Sequence, residues 1–144
     1  MYKDILIPID MSDEKTWRKP LQVAISFARQ FGSRLHIMMV VPSFQSPLVG
    51  SFFPKNYEQQ MHEQADREIH TFVQQQVPAD LAVQTIVAVG TIYEEVINAA
   101  EKLHCDLIIM GRSGTSKANF LLGPNAARVM RHANTSVLIA HDAD

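Results

Sequence analysis

The stretch Asp106-Leu-Ile-Ile-Met-Gly111-Arg-Ser-Gly114-Thr-Ser-Lys117-Ala-Asn-Phe-Leu-Leu-Gly123-Pro-Asn125 decides how the chain is read. Leu107 to Met110 is an unbroken apolar run, the pattern of a strand buried on both faces of a parallel sheet. At Gly111 the composition changes to glycine, cations and hydroxyls. Gly111 and Gly114 let a main chain approach a ligand closely, and Arg112, Ser113, Thr115, Ser116 and Lys117 supply donors beside it. Gly123 precedes Asn125-Ala-Ala-Arg-Val-Met130, a short amphipathic run suited to a first helical turn. A glycine-bearing loop that leaves a strand and feeds a helix N-terminus offers convergent N–H groups and a positive dipole end to a phosphate. The competing reading is that these glycines are plain turn residues. The loop alone leaves both open.

The rest of the chain narrows the class. Its 144 residues suit one domain, 1–144, with a core that needs no disulfide or metal staple. A net charge of −2 gives no general attraction to nucleic acid or to an anionic membrane. No apolar run reaches the length of a membrane span, and Met1 leads directly into a strand pattern without a signal-peptide core. Cys105 is the single cysteine, which excludes a disulfide framework and a thiolate metal cluster; between His104 and Asp106 it reads as a small core residue. The expectation is a cytoplasmic protein with neither nucleic acid nor membrane as partner.

Strand and helix patterns alternate along the chain. Ile5 to Ile9 is an apolar β-branched run closed by Asp10, with Pro8 placed where the ladder ends because it has no N–H. Ser12 and Asp13 are candidate helix caps, and Trp17, Leu21, Ala24, Ala28 and Phe31 recur on one helical face until Gly32. Leu35 to Val41 is a second buried strand. The aperiodic segment 42–56 carries Phe44, Phe52 and Phe53 among prolines, and reads either as a lid, interface or mobile segment or as a poorly ordered insertion. Met61, Ala65, Ile69, Phe72 and Val73 mark the next helix, Leu81 to Val89 a third strand, and Ile92, Val96, Ala99, Ala100 and Leu103 a third helix. After the glycine loop come a helix to about His132 and a strand Val137 to Ala140. The alternation predicts a parallel sheet with helices on both faces, whose ligands bind beyond the carboxyl ends of the strands where the strand order reverses.

Three pieces together resemble the universal stress protein family: Ile5-Leu-Ile-Pro-Ile-Asp10, Cys105-Asp-Leu-Ile-Ile-Met-Gly111-Arg-Ser-Gly114, and Leu121-Leu-Gly123-Pro-Asn-Ala-Ala-Arg-Val-Met-Arg-His132 with the following Ala133-Asn-Thr-Ser-Val137. The resemblance spans essentially the whole chain. It implies an open, Rossmann-like α/β fold with a five-stranded parallel sheet of order 3-2-1-4-5, and a homodimer paired through the last strand, about Thr135 to Ala140. Many members bind ATP through glycine, two residues, glycine, nine residues, then glycine and a hydroxyl residue. Gly111 and Gly114 match. Eight residues separate Gly114 from Gly123, a spacing found in a subgroup, and Pro124 stands in the hydroxyl position with neither hydroxyl nor N–H. By the same resemblance Pro8 and Asp10 lie near the adenosine and the main chain of Val40 meets the adenine edge. Asn125 is a donor able to substitute in part for Pro124, and Arg112 or Lys117 can compensate through charge.

The resemblance implies an adenine-nucleotide-binding stress protein, ATP or else ADP or AMP, with Mg²⁺ beside Asp10 as an accompaniment that a lone carboxylate holds weakly. The alternative is a family member that has given up nucleotide and works through dimerisation and protein contacts. An enzyme is the weakest reading, with slow ATP hydrolysis its upper limit: the chain has no P-loop, no Gly-x-Gly-x-x-Gly after the first strand and no Gly-x-Ser-x-Gly elbow. Six histidines lack metal spacing; His36 reads as a core or edge residue, and His132 as a cation at a helix C-terminus.

Overall fold

The computed structural model describes residues 1–41, 56–112 and 124–142. Strands β1 (Asp4–Pro8), β2 (Arg34–Val41), β3 (Val83–Val89), β4 (Leu107–Met110) and β5 (Ser136–Ile139) alternate with helices α1 (Arg18–Phe31), α2 (Tyr57–Gln76), α3 (Ile92–Lys102) and α4 (Pro124–His132). The sheet runs β3-β2-β1-β4-β5, all parallel. β1 is central, with register Leu6↔His36 on one side and Leu6↔Ile108 on the other. All five strands therefore end on one rim, and the order reverses between β1 and β4.

Strand alternation divides the core in two. Ile5, Ile7, Leu35, Ile37, Leu107 and Ile109 face α1 and α2, where Leu21, Ala24, Ala28, Ile69 and Phe72 close over them. Leu6, Met38, Ile108 and Met110 face α3 and α4, against Val96, Ala100, Ala126 and Val129. Nearly continuous apolar strands are what burial on two faces demands.

Of three boundaries, the starts of α1 and β3 differ from the pattern-based expectation and the end of α1 meets it, each for a local reason. Trp17 does not open the first helical turn: Asp13 accepts from the Lys15 N–H at 3.1 Å and closes a 3-10 turn over Glu14–Thr16, so α1 starts at Arg18. Gly32 ends α1 in the left-handed conformation, φ 70°, which glycine adopts without strain. The third strand starts at Val83 because the Leu81 N–H turns back to the Pro78 carbonyl at 3.2 Å.

The opposite rim is tied by polar contacts that no sequence period announces. The Asp106 carboxylate accepts from the main-chain N–H of Lys3 and of Asp4 at 3.0–3.1 Å, pinning the start of β1 to that of β4. His36 is buried, its Nε2 2.9 Å from Asp4 Oδ1 and its Nδ1 without a hydrogen-bond partner. Cys105 is buried as expected. Burial first, then the charges of Asp4 and Asp106, push its thiol up to about 12, which keeps it protonated and unreactive.

Candidate functional site at the carboxyl rim

The candidate site is built on the ends of β1 and β4, where the strand order reverses. Beyond Pro8, the Ile9 N–H still donates to the Met38 carbonyl at 2.9 Å, so the chain leaves the sheet only at Asp10. There the Asp10 carboxylate accepts from the Ser12 main chain at 3.0 Å and from its hydroxyl at 2.6 Å. The Asp10 N–H donates to the Thr16 hydroxyl at 3.0 Å, and that hydroxyl reaches the Asp13 carbonyl at 2.7 Å. These bonds fold residues 10–16 into a compact turn whose carboxylate faces outward.

Gly111 closes the other side. A Cβ placed there would lie 2.7 Å from the Lys15 carbonyl oxygen, 3.0 Å from that of Thr16 and 3.1 Å from the Thr16 Cα. All three are main-chain atoms, which cannot swing aside as a long side chain would. The glycine is thus required by the close approach of its own protein, the β1–α1 turn. Its φ is not positive. Thr16 is therefore the hub of the rim: its hydroxyl holds Asp10 and its main chain seats against Gly111. Sequence reasoning missed it; the available signal was a hydroxyl three residues after the turn-forming Asp13.

The remaining described candidates are placed by their own elements. Val40 is half-buried near the end of β2, in register with Ala88. Arg112 follows Gly111 directly and is half-buried. Pro124 is exposed at the first position of α4, where the missing N–H would have had no partner in the helix and φ near −65° is already helical. Asn125, half-buried, and Ala126 come next, so their N–H groups are first-turn donors without an intrahelical acceptor. Gly114 and Gly123, the donors from Ser113 to Lys117, and the 42–55 part of the aperiodic segment lie outside the described residues. Among the described residues no group of three or more His, Cys, Asp or Glu side chains could hold a metal ion, and no helix is long and apolar enough to cross a membrane.

An open, doubly wound parallel α/β domain with a rim crevice at its strand-order reversal is the class that this fold and site define. The sequence model of the universal stress protein family matches residues 1–141, and the chain belongs to that family. It is 29% identical over 141 residues to universal stress protein G of Escherichia coli O157:H7, covering 96% of this chain and 99% of that protein. The solved structure of the protein MJ0577 superposes with a TM-score of 0.76 at 25% identity, covering 100% of this chain and 99% of that one. Two further structures share the fold. A universal stress protein in complex with cAMP has a TM-score of 0.61 at 19% identity, covering 99% of this chain and 98% of its own. One from Archaeoglobus fulgidus in complex with dAMP has a TM-score of 0.65 at 16% identity, covering 96% and 98%.

Proposed function

We propose that this universal stress protein binds an adenine nucleotide, ATP or its di- and monophosphate, in the crevice between β1 and β4, and acts as a homodimeric regulatory protein of the cytoplasm in stress response. The observation that carries the reading is the single hub at Thr16, which holds Asp10 and the Gly111 main chain on one rim at the reversal of strand order. The complexes of related folds with cAMP and dAMP support it. In this reading Pro8 and Asp10 border the adenosine and the Val40 main chain meets the adenine. Arg112 and the first-turn N–H groups at Asn125 and Ala126 take the phosphates, completed by the loop that carries Gly114 and Gly123. That donor set, one guanidinium and a helix N-terminus, fits a phosphate chain. Mg²⁺ would have the Asp10 carboxylate, which already accepts two hydrogen bonds from Ser12.

Pro124 sets the strength of binding. One lost neutral donor is worth about 0.5–1.5 kcal/mol, so affinity falls on the order of tenfold below that of a hydroxyl-bearing relative. Mass spectrometry of ligand retained by native protein, with calorimetric titration of ATP, ADP and AMP, tests the reading. Pro124→Ser should tighten binding, and an unchanged affinity would show that the proline is not the missing contact. If native protein carries no nucleotide and titration gives no heat, the alternative stands: a family member working through dimerisation and protein contacts, favoured by that same proline.

The outward-facing edge of β5 supports a homodimer through Thr135–Ala140. Val137, Leu138 and Ile139 of β5 are half-buried, as are most residues of β3 at the other edge, where the Val87 carbonyl lies 3.1 Å from His62 Nε2 of α2. The Ala140 N–H donates inward to the Met110 carbonyl at 3.0 Å. By alternation the Val137 N–H faces outward, available to a second copy.

A further inference from the structure

A second concavity lies on the α1–α2 side of the sheet. It is a cleft of about 400 Å³ walled by Met11, Trp17 and Phe72 and edged by Arg67, Glu68 and Thr71, with Gln75 and Gln76 beyond them. The two rings meet edge to face, centroids 4.9 Å apart and planes at 89°. Phe72 is nearly buried in the core and Trp17 only half-buried, so the indole is the surface on which a further ring can stack. The Met11 thioether adds a polarisable contact.

The polar edge is unevenly engaged. Glu68 accepts from Gln64 Nε2 at 3.0 Å, and the Thr71 hydroxyl donates to the Arg67 carbonyl at 3.2 Å. Among the described residues no hydrogen bond or ion pair engages the Arg67 guanidinium. An uncommitted cation calls for an acceptor, and a neighbouring carboxylate disfavours more than one negative charge. The volume sits at the small end of ligand pockets, enough for one ring and a short tail.

We propose that this cleft is a binding site for a small aromatic monocarboxylate, its ring against Trp17 and its carboxylate on Arg67. The site is separate from the nucleotide crevice and does not rest on that reading. Its wall nevertheless begins one residue after Thr16, the hub of the rim.

Trp17 is the only tryptophan of the chain and so reports the site directly. With the full-length protein and 3-phenylpropionate as probe, Trp17 emission should change saturably, to the same extent with and without ATP. The neutral 3-phenylpropionamide should bind about tenfold more weakly, and Arg67→Gln, at an exposed position, should weaken the acid about fivefold while sparing the amide. No saturable change in emission overturns the proposal. So does equal binding of acid and amide, or an Arg67→Gln protein that binds the acid as the parent does.

Discussion

Gly111→Ala isolates the contact on which the rim depends. The added methyl carbon would fall 2.7 Å from the Lys15 oxygen and 3.0 Å from the Thr16 oxygen, both main-chain atoms, where ordinary contact is roughly 3.4 Å or more. Either the end of β4 or the 3-10 turn must move by several tenths of an ångström. Overpacking of this kind costs about 1–3 kcal/mol, a loss of roughly 2–12 °C in melting temperature for a domain of this size. Trp17 follows Thr16, so displacement of the turn should also shift its emission. Gly32→Ala is the matched control. No atom lies within 4 Å of a Cβ there, and its cost comes only from φ 70°, about 1–2 kcal/mol. The control should therefore melt earlier with Trp17 emission unchanged. Gly111→Ala protein with the parent's melting temperature and emission would refute the argument that Gly111 is reserved for its own β1–α1 turn.

Four further outcomes follow from the same geometry. Asp4→Ala should cost about 1–3 kcal/mol in urea unfolding, because it strips a buried imidazole of its only partner among the described residues; a cost near zero would mean that water replaces the carboxylate. Asp106→Ala removes the acceptor for two main-chain N–H groups at the start of β1 and should cost about 1.5–3 kcal/mol, with faster amide exchange at Lys3 and Asp4. Cys105 has a folded pKa raised from 9.0 to about 12, so its contribution to stability is whole below about 9 and is lost as pH rises towards about 12. The stability of the parent relative to Cys105→Ala should fall over that interval with a slope approaching about 1.4 kcal/mol per pH unit, and a flat difference would sink the assignment. Val137→Pro should leave β5 paired to β4 while converting a dimer to a monomer in sedimentation, and an unchanged dimer would exclude β5 as the seam.

The fold was legible because its strands are buried on both faces: runs such as Leu107–Met110, separated by helical periods, leave few alternatives to a parallel sheet. The order 3-2-1-4-5 was not in those runs; it came with the resemblance, and the register of β1 between β2 and β4 bears it out. What stayed hidden was hydrogen bonding between residues of different type and no fixed period. Asp106, His36 and Asp4 stand more than 30 residues from at least one partner each, and nothing in their neighbours' composition announces the contact. Gly111 shows the subtler failure. A glycine after a strand signals that something approaches closely, and the sequence does not say whether that is a ligand or another part of the chain. Here the near neighbour is the carbonyl of Lys15. The two roles are compatible, since the turn that fills the space above Gly111 is the one that fixes Asp10. A rim fixed in this way can present Asp10 and Gly111 in one arrangement before any ligand arrives, so that binding does not have to order them. The strength of nucleotide binding would then be governed by donor count at Pro124 rather than by any cost of shaping the crevice.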